Sequence, residues 1–238
     1  VEAPPIPAKL TIGEIYMDPE QTTRAADVMQ KLHGADIYAG FVPTFALDLQ
    51  GWNSTSPVFE EIVAETRPGI IVDVGVWKGA STLFLADLMR KREIDGAVIA
   101  VDTFLGSPEH CMPGRRFFDL IPRQFGRPML YEQFLSNVVR SRMQDRVVPL
   151  AQASTGAAEL LWHAGIRPNL IHIDAAHDYE AVLADARAYW KILAPGGSLM
   201  GDDYGPSWPG VVKAADEFSL SIAAPLRVAG PKWIVRKE

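Results

Sequence analysis

Four short apolar runs constrain this chain more than any other feature, because each reaches an aspartate at or near its end. They are Ile70-Ile-Val-Asp73-Val74, Ala97-Val-Ile-Ala-Val-Asp102, Leu170-Ile-His-Ile-Asp174 and Ser198-Leu-Met-Gly-Asp202-Asp203. Runs of this length, rich in Val and Ile, read as buried strands. Between them lie helical patterns at Ala80–Arg92, Ala157–Ala164, Tyr179–Leu193 and Gly210–Phe218, with a further strand at Val147–Gln152. Strands alternating with helices predict an α/β fold: a Rossmann-like, doubly wound sheet, mostly parallel and covered on both faces. The tail, Pro225–Val228 and Lys232–Arg236 around Gly230-Pro231, reads as a hairpin that adds one antiparallel C-terminal strand. In such sheets ligands bind beyond the carboxyl ends of the strands. Asp73, Asp102, Asp174, Asp202 and Asp203 are therefore expected along one edge.

The regular pattern starts near Pro57. Residues 1–57 are expected to form an N-terminal helical flap or lid, and residues 58–238 the main domain. Within the flap, Pro4, Pro5 and Pro7 predict an extended or disordered start, and Gln21–Leu32 has helical spacing closed by Gly34. Phe41, Phe45, Leu47 and Trp52 form an aromatic connector that either packs on the domain or covers a pocket. Residues 103–143 break the βα rhythm as an insertion containing one helix, Tyr131–Arg142, and are expected to shape a substrate pocket or a subunit contact.

The net charge of −6 gives no electrostatic footprint for nucleic acid. No apolar run approaches a membrane span, and the start has neither the basic nor the apolar region of a signal peptide. A single cysteine, Cys111, excludes an internal disulfide and reads as a bland loop residue. A cytoplasmic protein that forms a homodimer and takes a small molecule or oligosaccharide as partner, with neither nucleic acid nor membrane, is expected.

The turn after the first strand reads Asp73-Val-Gly75-Val-Trp77-Lys78-Gly79-Ala-Ser81. Its glycines allow a tight turn and close backbone approach. It is not a dinucleotide fingerprint, since Asp73 stands where a pyrophosphate site needs glycine. An acid there suits a cationic group, and S-adenosylmethionine carries an ammonium and a sulfonium with no phosphate. Asp102 is placed to accept hydrogen bonds from a ribose diol.

At the other edge, Asp174, Asp202 and Asp203 bring carboxylate oxygens suited to Mg²⁺ or Mn²⁺, and the imidazole of His177 can act as a base. Each has a plainer role available. Asp174 could cap the helix near Tyr179, Asp202-Asp203 could form a turn, and His177 could lie on the surface. His172, alternating within its strand, reads as structural, while Trp77, Trp52 and Phe104 either flank a ligand or pack in the core.

These motifs together resemble class I methyltransferases: Asp73-x-Gly75-x-x-x-Gly79, Asp102-Thr103-Phe104, Asp174-x-x-His177-x-Tyr179-Glu180 and Asp202-Asp203. More narrowly, they resemble the metal-dependent sugar O-methyltransferases typified by the macrocin and mycinamicin enzymes, across residues 57–236. The resemblance implies that Asp73, Gly75, Trp77, Gly79 and Ser81 line the methionine end of the cofactor. It implies that Asp102 and Thr103 meet the ribose, and that Ser154 lies near the adenine. Asp174 (also beside the cofactor), Asp202 and Asp203 would ligate a divalent cation, with Asp174 and His177 catalytic and His177 the base. Asp202 stands where several relatives carry Glu. The activity implied is methylation of a sugar or glycoside hydroxyl through a metal-chelated vicinal diol. A catechol-type phenol and a non-methylating cofactor-binding relative are the alternatives.

Overall fold

The computed structural model describes residues 23–238, so the proline-rich start and the first two residues of the expected Gln21–Leu32 helix lie outside the described residues. Helix α1 (Arg24–His33) opens where the Thr23 hydroxyl accepts from the Ala26 amide, and it closes at Gly34 in the left-handed region. Its Ala25, Val28 and Met29 join the main core, and the His33 ring and Tyr38 hydroxyl bond carbonyls of Pro149 and Val147. Helix α2 (Pro57–Thr66) adds to the expected elements. Its signal is present in the sequence: Ser56 caps it and Pro57 occupies its first turn.

The chain then runs through β1 (Ile70–Val74), α3 (Ala80–Lys91), β2 (Ala97–Asp102) and the insertion. The insertion holds α4 (Pro108–Cys111), a 3₁₀ turn at Phe118–Leu120, and a small hairpin of β3 (Arg123–Gln124) and β4 (Arg127–Pro128). Its long helix, α5 (Leu130–Arg140), ends two residues before the expected stop, and Arg142 turns left-handed at φ 56°. Next come β5 (Val147–Ala151), α6 (Ser154–His163), β6 (Leu170–Ile173), α7 (Tyr179–Ile192), β7 (Ser198–Gly201) and α8 (Pro209–Ser221). The chain closes with β8 (Arg227–Ala229) and β9 (Lys232–Arg236). Helix α6 starts three residues earlier than expected because Ser154-Thr155-Gly156 has turn composition, yet the Ala157 amide already bonds the Ala153 carbonyl.

Seven strands form one sheet in the order β5-β2-β1-β6-β7-β9-β8. Strand β9 pairs antiparallel with both β7 and β8, so it alone runs against the rest. This is the expected Rossmann-like, mostly parallel sheet with one antiparallel strand. Its register is pinned where Gly201 faces Trp233: a Cβ on that glycine would lie 2.3 Å from the buried indole. The strand order reverses between β1 and β6, which puts the ends of these two strands at the switch point. Among the described residues no helix is long and apolar enough to cross a membrane.

Candidate active site

The turn after β1 is built around two left-handed glycines, Gly75 (φ 82°) and Gly79 (φ 88°). Their missing Cβ atoms make room for neighbouring parts of the chain. A Cβ on Gly75 would lie 2.0 Å from the Asp174 carbonyl, and one on Gly79 would lie 2.7 Å from the Phe134 ring. Gly75 thus lets the ends of β1 and β6 touch at the switch point. Trp77 is also left-handed (φ 54°), as is Phe104 (φ 56°). Both strained residues donate their amides to one carboxylate, Trp77 to Asp102 Oδ2 at 2.9 Å and Phe104 to Asp102 Oδ1 at 2.7 Å. Burial raises the pKa of Asp102, against the pull of these amides. The Thr103 amide and hydroxyl add to that pull.

The other expected cofactor contacts have partners within the chain. Asp73 is 1% exposed and faces the interior, not a cleft. Its Oδ1 accepts from His172 Nδ1 at 2.7 Å, and its Oδ2 accepts from Ser81 at 2.8 Å and Thr82 at 2.6 Å. Burial alone would raise its pKa, but the His172, Thr82 and Ser81 bonds hold it below the ordinary value. The acid expected to meet a cationic ligand thus has both carboxylate oxygens bonded by side chains of the chain itself. Ser81 follows it inward. The Trp77 indole donates to Gln50 at 3.1 Å and packs between His110 and Trp52. Thr103 accepts the Leu105 amide at 3.3 Å. The Ser154 hydroxyl, expected near the adenine, bonds Asp185 of α7.

The aromatic connector is tied down rather than free. Buried Lys78 pairs with Asp48 at 2.6 Å, and Asn137 of α5 donates to the carbonyls of both residues. The cofactor turn, the connector and the insertion helix therefore share one hydrogen-bond network.

At the ends of β6 and β7, the acids and the imidazole converge as expected, but as two overlapping groups. Single ligand atoms of Asp174, His177 and Asp203 lie within 4.8 Å of one another, and so do those of His172, Asp174 and Asp202. His177 Nε2 lies 2.8 Å from Asp203 Oδ2, and its ring stacks on Trp208 at 4.2 Å. The Asp203 hydrogen bond raises the His177 pKa. Asp202 is 4% exposed and its Oδ2 accepts from Lys232 Nζ at 2.6 Å, while its Oδ1 accepts the Asp203 amide at 2.8 Å. Asp174 shows no side-chain hydrogen bond among the described residues. Burial, with Asp202 and Asp203 nearby, pushes its pKa up to about 6 against the opposing pull of His172 and Lys232. It does not cap α7, where Asp178 accepts the Ala181 amide. Sequence reasoning misses Lys232 and Trp208. One sits in an apparent edge strand and the other in a turn, and neither belongs to a motif.

A family model described as a methyltransferase domain matches residues 72–204, more than half of the chain. The chain belongs to this methyltransferase family. A second model, macrocin-O-methyltransferase, matches residues 14–116 of this methyltransferase. Together the two matches make it an S-adenosylmethionine-dependent O-methyltransferase. Among solved structures, the calicheamicin methyltransferase CalS11 is 18% identical with a TM-score of 0.56, covering 98% of this chain and 99% of that one. A Bacillus cereus O-methyltransferase in complex with SAH is also 18% identical, covering 89% and 91% at a TM-score of 0.53. The Streptomyces achromogenes enzyme TomG, in complex with SAM, is 13% identical, covering 90% of each chain at 0.53. No curated protein gives a significant match.

Proposed function

We propose that this methyltransferase transfers the methyl group of S-adenosylmethionine to a hydroxyl of a sugar or glycoside, with a divalent cation at the β6–β7 edge and His177 as the base. The observation that carries this reading is the state of Asp174: a carboxylate crowded by Asp202 and Asp203, pushed up to about 6 and without a protein hydrogen-bond donor among the described residues. A cation relieves that crowding, so the residues fit a hard metal ion. Asp174 and Asp203 would hold it, with Asp202 adjoining. When bound, such an ion lowers the pKa of two vicinal hydroxyls and orients one of them.

The chain's own residues supply the rest. Asp203 accepts from His177 Nε2–H, which leaves the lone pair of the ring on Nδ1. Nδ1 is thus the atom that takes the acceptor proton as the new C–O bond forms, the C–S bond breaks and S-adenosylhomocysteine leaves. Stacking on Trp208 limits the ring to one orientation, and Asp203 limits its tautomer. Asp102, held by the Trp77 and Phe104 amides, would anchor the ribose and set the sulfonium in line with the acceptor. The sugar preference is supported by the macrocin-O-methyltransferase match and by CalS11, described as a TDP-rhamnose 3'-O-methyltransferase.

Calorimetry with S-adenosylmethionine, followed by mass spectrometry of a panel of glycosides and catechols with Mg²⁺ or chelator, tests the proposal. Cofactor binding that Asp102→Ala weakens, with methyl gain on a glycoside only in Mg²⁺, is the expected result. Absence of cofactor binding, or methylation confined to catechols, overturns it.

A further inference from the structure

Beneath the acid edge lies a buried chain of polar groups that the methyl-transfer chemistry does not use. It runs Asp73, His172, Lys232, Asp202, with successive separations of 2.7, 3.1 and 2.6 Å. Lys232 and His172 are both 0% exposed. With Asp73 accepting from His172 Nδ1–H, the Nε2 atom is left to accept from Lys232 Nζ, which also donates to Asp202. The third side of Nζ faces the Phe59 ring, 4.6 Å from the centroid, and Phe59 also meets the His172 ring edge-on at 4.8 Å. An anion, a lone pair and a π face thus surround the ammonium.

Two of these partners, His172 and Asp202, belong to the inner group of potential metal ligands with Asp174. The Lys232 ammonium lies within hydrogen-bond distance of both. We propose that Lys232 fills the inner group as a tethered cation, which confines a divalent ion to the outer group of Asp174 and Asp203 and makes Asp202 a positioning residue instead of a ligand. The part that concerns the divalent ion rests on the metal reading above. Asp202 then acts through its Oδ1, which holds the Asp203 amide while Asp203 stands in the left-handed region at φ 60°. A single lysine so placed puts one positive charge in the inner group and, through Asp202, holds the turn that carries Asp203.

Mn²⁺ titration of the full chain, followed by electron paramagnetic resonance and by thermal melts, tests this. Lys232→Ala removes the ammonium and opens its space, so it is expected to bind an additional Mn²⁺ or to bind Mn²⁺ at least about tenfold more tightly than the parent, with a larger Mn²⁺-dependent rise in Tm. Lys232→Met, which removes the charge but fills the space, gains no such site. Lys232→Ala binding Mn²⁺ no better than the parent overturns the proposal. Should Lys232→Ala fail to fold even with Mn²⁺, the double variant Asp202→Asn/Lys232→Met decides, because it removes both charges together. Parent-like Mn²⁺ affinity, within about threefold, supports Asp202 as a positioning residue, and a loss beyond about tenfold makes Asp202 a ligand. A parent chain that binds no Mn²⁺ counts against the metal reading alone, since the gain in Lys232→Ala is scored separately.

Discussion

The first and third aspartate-bearing strands look alike in sequence and differ in what surrounds their acids. Asp73 in β1 is buried with three side-chain donors and is held below its ordinary pKa. Asp174, one residue beyond β6, meets no side-chain donor among the described residues, faces two further acids, and is pushed up to about 6. Satisfaction, not residue type, separates a structural acid from a chemical one. A carboxylate whose lone pairs are filled rigidifies the fold, and one left crowded is available to a ligand.

That contrast can be broken experimentally, and the largest effect is expected at the base. His177→Ala should lower kcat/KM for a glycoside acceptor by roughly 10²–10⁴, because a sugar hydroxyl is too weak an acid to react without proton removal. Steady-state kinetics at neutral pH measure this, and a smaller effect on a phenol would sharpen the assignment.

Asp73→Asn should act on stability instead, by about 3–5 kcal/mol in urea denaturation, since it breaks a buried pair from one side. Because the Asp73 pKa is depressed in the folded state, its stabilisation is present above the unfolded value and disappears as pH falls through the folded one. The variant should therefore show a flatter acid limb below about pH 4. Cofactor affinity measured at a permissive temperature should change by less than about threefold, because the side chain faces the core. Ser154→Ala is the smallest expected effect. Loss of its bond to Asp185 should reduce stability by about 1 kcal/mol, and cofactor affinity should stay within about twofold.

Much of the fold was legible because short β-branched runs and helical spacing are strong local signals. The bounds of β1, β2 and β9 follow directly from them. The acid edge was legible for the same reason: strand ends put Asp174, Asp202, Asp203 and His177 together. What stayed hidden depends on which face of a strand a residue occupies relative to distant partners. The internal partners of Asp73 were not legible, because nothing local reveals that His172 stands in register with it on the neighbouring strand. Lys232 was invisible for a related reason. A lysine on a terminal hairpin reads as solvent-facing, yet the antiparallel insertion of β9 between β7 and β8 carries it into the interior. The Ser154 bond to Asp185 was hidden because α6 begins at a turn-like triplet and its partner lies on α7.

The most direct test of the contrast is a paired measurement of Tm and turnover for Asp174→Asn. Removing a crowded buried charge should raise Tm by a few degrees, as about 1 kcal/mol does in a domain of this size, while methyl transfer falls by roughly 10³. A fall in Tm together with retained turnover would contradict the account, making Asp174 another structural acid and moving the chemistry away from the β6–β7 edge.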